Sequence, residues 1–231
     1  MPQYKHIFFD LDHTLWDHDT NCREALSEVY EIFKLETIGI ESLAAFQENF
    51  NEINYRLWGQ YEKGDISQHE LRHDRFRLVF TSLGVSDHEI CDELSDVYLS
   101  ICPKKSNLLP FSIETLKYLF PKYPLHIITN GFNETQDTKM ISSEIRHYFR
   151  NIVTSQESGF KKPDPEMFRY ACKIAETKPE QCLMIGDNFY ADVLGAMNVG
   201  MDAVFFNPNA VNVIEKPTFE IQNMRELRYI L

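Results

Sequence analysis

His6-Ile7-Phe8-Phe9-Asp10-Leu11-Asp12-His13-Thr14-Leu15 is the stretch on which the reading of this chain turns. Three apolar residues, Ile7, Phe8 and Phe9, run directly into two acids separated by one residue. A short apolar run bounded by turn formers reads as a buried strand. Parallel strands present ligand-binding residues at their carboxyl ends. Two carboxylates placed there repel each other and lose hydration, so their charge has to be offset. A divalent cation held by oxygen ligands does this, and Mg2+ suits such a site best. One acid is then a candidate nucleophile and the other a candidate proton shuttle. The same residues also suit a plain strand-to-turn junction, because Asp and Thr are ordinary turn formers.

Around that stretch, 231 residues have room for one large domain or for a core with a smaller insert. A composition of 43% hydrophobic and 25% charged residues is that of a soluble globular protein. No apolar run approaches a membrane span, and residues 7–9 are too short for the apolar part of a signal peptide. The five cysteines are odd in number and scattered, with no Cys-x-x-Cys pair. This suits a reducing, cytoplasmic setting and argues against a disulfide framework or a zinc ribbon. A net charge of −12 disfavours nucleic-acid polymers as partners. It leaves room for a small anionic substrate, because a metal and one or two lysines set the field inside a pocket.

Further strand-like runs are expected at 125–129, 151–154, 182–185 and 203–206, with helices at 111–120, 142–149, 165–177 and 190–199. Such alternation predicts a doubly wound α/β fold, a parallel sheet with helices on both faces. Residues 217–221 read as a short edge strand and 224–230 as a closing helix. Between the first two strands no strand is visible. Helical periods instead cover 21–35, 40–61, 67–83 and 87–101, punctuated by Gly39, Gly64 and Gly84. A crossover needs only one helix, so this segment predicts an inserted helical domain above the Asp10 crevice. The expected division is a core of 1–16 and 104–231 with an insert of 17–103.

Three more patterns fall at strand ends. Thr129-Asn130-Gly131 offers a hydroxyl and backbone N–H groups suited to phosphoryl oxygens, and is also a common turn. In Lys161-Lys162-Pro163-Asp164-Pro165, a lysine held before a helix can neutralise an oxyanion, or it can be a solvated loop. Gly186-Asp187-Asn188 places a third carboxylate at a strand end, with Asp192 five residues on.

Together, and in this order, these patterns resemble the four motifs of the haloacid dehalogenase (HAD) superfamily, whose members are mostly Mg2+-dependent phosphohydrolases. The resemblance spans nearly the whole chain, and the inserted segment stands where many members carry a cap. It implies that Asp10 attacks phosphorus to form an aspartyl-phosphate. Asp12 would protonate the leaving oxygen and later deprotonate water. Thr129, with backbone N–H groups near Asn130 and Gly131, would hold the phosphoryl oxygens, and Lys162 would balance charge. The metal would be held by Asp10, the Asp12 carbonyl and Asp187, with Asp192 acting through water or by orienting Lys162. Lys162 is preferred over Lys161 because it directly precedes the proline. Asp12 itself favours phosphate esters over carbon–halogen bonds, since an alkoxide needs a proton to leave and a halide does not.

For the substrate, the wider pattern from Phe8 to Asp17, Thr129-Asn130-Gly131-Phe132, Leu57-Trp58 through Gly64, and Arg75-Phe76 looks like the pyrimidine 5′-nucleotidase group of that superfamily. A nucleoside monophosphate is therefore the expected substrate. Trp16, Tyr55, Trp58 and Tyr61 offer stacking faces, with Arg56, Arg72, Arg75 and Arg77 nearby, though all can equally pack the insert. Alternatives are a sugar-phosphate or phosphoglycolate phosphatase, a phosphomutase, or a binding module that has lost turnover. His69-Glu70-Leu71-Arg72-His73 fits a zinc-protease pattern. It lies in the helical insert without a clear third ligand, and is read as solvated or packing histidines.

Overall fold

The computed structural model describes residues 4–86 and 89–231. The chain divides into two compact units, one of Met1–His18 with Ser106–Leu231 and one of Asp19–Lys105. Among the described residues no helix is long and apolar enough to cross a membrane.

Among the described residues, the α-helices of the insert are α1 (His18–Ile32), α2 (Leu43–Lys63), α3 (Gln68–Ser82) and α4 (Cys91–Ile101). The helix expected at 87–101 thus begins at Cys91, and Asp87 and His88 lie outside the described residues. Leu26, Val29, Phe46, Phe50, Phe76, Phe80 and Leu94 form its fully buried interior, the helical period having placed them on inward faces. Gly64 closes α2 in the left-handed conformation. A capping box opens α3: the Ser67 hydroxyl accepts from the Glu70 N–H, and the Glu70 carboxylate accepts from the Ser67 N–H. Glu70 of the His-Glu-x-x-His pattern therefore has a structural task.

The other unit holds six parallel strands, β1 (His6–Phe9), β2 (Leu125–Thr129), β3 (Phe149–Thr154), β4 (Cys182–Gly186), β5 (Asp202–Phe206) and β6 (Phe219–Ile221), in the order β3-β2-β1-β4-β5-β6. Every residue of β2 and β4 is buried, which is why they read as unbroken apolar runs. Between strands run α5 (Ser112–Leu119), α6 (Asn133–Ser142), the single turn α7 (Ser155–Ser158) and α8 (Pro165–Ile174). Phe8, Ile128, Val153, Met184 and Ala203 pack with Met167, Phe168 and Ala171 of α8 in one core cluster. Asp164 caps α8 by accepting from the Glu166 N–H, and Pro165 fills its first turn.

Three expectations are corrected. Residues 142–149 do not form a helix: α6 ends at Ser142, a 3-10 turn covers Arg146–Tyr148, and β3 begins at Phe149, paired with Leu125. The segment expected as a helix at 190–199 opens as a π-helical turn, Phe189–Leu194. The closing helix is a 3-10 segment, Met224–Tyr229.

Candidate active site

The chain leaves β1 toward β2 on one side and returns to β4 on the other, so the sheet order reverses beside β1. Ligand crevices of open α/β sheets lie at that point, outside the carboxyl ends of the strands. Phe9 is level with Ile185, and the Asp10 N–H donates to the Ile185 carbonyl at 2.9 Å. Asp10 and Asp187 thereby leave neighbouring strand ends together. Thr14 ties them further. Its hydroxyl donates to Asp187 Oδ1 at 2.8 Å and accepts from the Asp187 N–H at 3.1 Å.

Carboxylate oxygens of Asp10, Asp187 and Asp192 lie within 4.8 Å of one another. Asp192 reaches them from the π-helical turn. Gly186 makes room for it, since a Cβ at Gly186 would stand 2.3 Å from Asp192 Oδ2. The Asn188 N–H donates to that oxygen at 3.0 Å. Burial pushes the Asp10 and Asp187 carboxyls up to about 7, and Asp192 to about 6, with mutual repulsion adding to it. Lys162 is the cation among them. Its Nζ donates to Asp10 Oδ1 at 2.5 Å and to Asp192 Oδ1 at 2.6 Å. Burial disfavours the ammonium, but the two carboxylates outweigh it and hold Lys162 well above its usual range. When all three carboxylates are ionised, one ammonium leaves two negative charges uncompensated. An all-oxygen donor set with that deficit fits a divalent cation such as Mg2+.

The backbone of Lys162 is held from β2. The Asn130 side chain accepts from the Lys162 N–H at 2.7 Å and donates to the Lys162 carbonyl at 3.1 Å. Lys162 rather than Lys161 therefore enters the cluster.

Asp12 sits in a different environment. Lys139 donates to both its oxygens, at 2.6 and 2.9 Å, and Gln136 Nε2 donates to Oδ2 at 2.9 Å. Burial opposes ionisation there, but Lys139, His18 and Gln136 prevail and hold Asp12 well below the usual carboxylate range. Gln136 Nε2 also donates to Thr129 Oγ1 at 2.7 Å. Lys139 lies 4.4 Å from the centre of the Trp16 ring.

The structure thus gathers Asp10, Asp12, Thr129, Lys162, Asp187 and Asp192 within one unit. Around the expected phosphate cradle, the Asn130 side chain holds the Lys162 backbone and the Gly131 N–H donates to Thr129 Oγ1 at 3.1 Å. Trp16 is fully buried, so it has no face to offer a base. In the helical unit Tyr61 is buried, Tyr55 is exposed, and half-buried Trp58 meets Tyr61 edge-on at 5.6 Å. Arg75 is buried among Phe50, Phe76 and Tyr98, and Arg77 pairs with Asp92. Sequence reasoning missed Gln136 and Lys139, because α6 was not expected. Their signal was the spacing of Gln136, Lys139 and Met140, which shares one helical face.

A family model described as haloacid dehalogenase-like hydrolase matches residues 4–200. Pyrimidine 5′-nucleotidase PynA of Streptococcus pneumoniae is 29% identical over 97% of this chain and 93% of its own. Glyceraldehyde 3-phosphate phosphatase of Methanothermobacter thermautotrophicus is 31% identical over 88% of this chain and 85% of its own. The crystal structure of the HAD-hydrolase YfnB of Bacillus subtilis bound to magnesium matches with a TM-score of 0.88 at 27% identity, over 99% of this chain and 98% of that one.

Proposed function

The chain belongs to the haloacid dehalogenase-like hydrolases, and from that membership we propose that it is a Mg2+-dependent phosphomonoesterase acting on nucleoside 5′-monophosphates through an aspartyl-phosphate on Asp10. The observation that carries this reading is the contrast between two acids two residues apart. Asp10 stands among carboxylates with Lys162 on one oxygen, while Asp12 is held apart by Lys139 and Gln136. Paired carboxylates in such unlike surroundings suit a nucleophile and a proton shuttle.

Lys162 occupies Oδ1 of Asp10, and no described residue hydrogen-bonds Oδ2. Oδ2 attacks phosphorus, and the ester P–O bond breaks as the new one forms. Asp12, ionised in the free protein, takes up a proton as the anionic substrate binds, passes it to the departing oxygen, and recovers one from the water that attacks the aspartyl-phosphate. Inorganic phosphate leaves and Asp10 is restored. Thr129 and Lys162 hold the phosphoryl oxygens, since this chemistry depends on positioning and charge neutralisation. Asp10, Asp187 and the Asp12 carbonyl would hold Mg2+, with Asp192 beside them. Bound there, the ion would offset charge on the phosphoryl oxygens.

The nucleotide assignment rests on the likeness to PynA and on the aromatic residues of the insert. A sugar phosphate is the second reading, favoured by the likeness to glyceraldehyde 3-phosphate phosphatase. Phosphate release from UMP, dUMP, dTMP, purine monophosphates, phosphoglycolate and hexose and triose phosphates, with and without Mg2+, separates them, with Asp10→Asn as the blank. Mg2+-dependent release favouring pyrimidine monophosphates is expected. Release confined to sugar esters would replace the substrate, and turnover by Asp10→Asn would overturn the nucleophile.

A further inference from the structure

We propose that Gln136 is a positioning residue whose single amide fixes the Thr129 hydroxyl as a donor toward the phosphoryl group and holds the Asp12 carboxylate beside it. The inference rests on the roles proposed above for Thr129 and Asp12. Gln136 is fully buried on α6. An amide nitrogen carries two hydrogens, and both are used: one bond runs to Asp12 Oδ2 at 2.9 Å, the other to Thr129 Oγ1 at 2.7 Å. A carboxylate only accepts, so Asp12 dictates which end of the amide faces it.

The consequence falls on Thr129. A hydroxyl has two acceptor positions and one proton. The Gln136 amide fills one acceptor position and the Gly131 N–H, at 3.1 Å, the other. The proton remains, and no described residue accepts it. A phosphoryl oxygen only accepts, so this hydroxyl is set to bind it before substrate arrives. Such preorganised donors do not have to reorient when charge develops.

Two further observations mark the amide as placed for its donors. Its Oε1 is buried and has no hydrogen-bond partner among the described residues, whereas a purely structural glutamine would use both ends. The neighbouring chain also yields to it. A Cβ at Gly131 would lie 2.3 Å from Gln136 Nε2, although the Gly131 backbone is outside the left-handed region. Space, not conformation, requires glycine there.

The test compares kcat/KM for UMP and for p-nitrophenyl phosphate, because kcat/KM covers only the steps through phosphoryl transfer to the enzyme. The alkoxide of UMP needs a proton to leave and the nitrophenolate does not. Gln136→Met keeps the length and removes both donors. It is expected to lower kcat/KM on the order of 100-fold for UMP and on the order of 10-fold for p-nitrophenyl phosphate. Inhibition by inorganic phosphate should weaken about tenfold, reading the Thr129 share without turnover. Gly131→Ala crowds the amide while keeping Gln136 itself, and should show the same skew in a protein that needs no new side chain at 136. Equal losses on both esters, or none, would overturn the inference while an active wild type leaves the phosphatase reading standing. A wild type that hydrolyses neither ester would overturn that reading and this inference with it.

Discussion

Lys139 grips Asp12 by both carboxylate oxygens, at 2.6 and 2.9 Å, with only 9% and 24% of the two side chains exposed. Removing one partner of such a pair leaves the other charge poorly solvated. Lys139→Met is predicted to cost about 2–3 kcal/mol of stability, less than a fully buried pair because Asp12 retains some solvent. Asp12→Asn in the same background should recover about 1 kcal/mol or more. Urea denaturation of the four proteins in a double-mutant cycle measures this. Strict additivity would mean that the pair contributes nothing to folding.

The uncompensated charge around Asp10, Asp187 and Asp192 should make Mg2+ stabilise the folded chain. At 100 times its dissociation constant the gain is about 2.7 kcal/mol. Asp187→Asn is predicted to move both this thermal response and the Mg2+ dependence of turnover to concentrations about tenfold higher or more. Melting temperatures across a Mg2+ titration read the effect without any turnover, and an unchanged midpoint would remove Asp187 from the metal shell.

Of the aromatic residues of the insert, half-buried Trp58 is the one predicted to recognise the base. Trp58→Ala should raise KM for nucleoside monophosphates about fivefold or more and leave KM for p-nitrophenyl phosphate little changed. Steady-state kinetics on the two substrates decide it, and equal shifts on both would assign Trp58 to packing alone.

His126 in β2 is fully buried, stacked on Phe8, with His6 at 3.0 Å and Asn151 at 3.1 Å from its ring nitrogens. Burial pulls its pKa down to about 3, with His6 and Arg150 adding repulsion. The neutral ring's contribution to stability is therefore complete above about pH 6.5 and is lost as pH falls toward 3. The Asp10, Asp187 and Asp192 carboxyls act in the opposite sense, so the comparison must be made against His126→Leu. The stability difference between wild type and that variant should shrink by up to about 1.4 kcal/mol per pH unit below pH 6. A constant difference from pH 7 to pH 4 by chemical denaturation would show that His126 does not titrate on unfolding.

Much of the fold was readable because β1, β2 and β4 are buried on both faces and end in chemically distinctive residues. Asp10, Thr129 and Gly186-Asp187 could be ranked by their place at strand ends before any contact was known. The helix α6 escaped for the opposite reason. Asn133–Ser142 is mostly polar, and its apolar residues come only at the end, whereas Ile141, Ile145, Tyr148 and Phe149 mimic a helical period. Pairing of Phe149 with Leu125 drew that later segment into a strand start. Gln136 and Lys139 went unrecognised with their helix, since long polar side chains on a polar helix look like a solvated face until the acid they hold is in view. The hold of the Asn130 side chain on the Lys162 backbone likewise leaves no local signal, because its partner lies 32 residues away.

That long-range clasp bears on how the chain tolerates change. With both hydrogen-bonding groups of the Lys162 backbone hooked to the Asn130 amide, the lysine is anchored as an appendage of β2. Insertions or deletions in the loops between α6 and Lys162 can then accumulate without displacing the ammonium. A cut or circular permutation in one of those loops should leave a site that still assembles, provided Asn130 is kept.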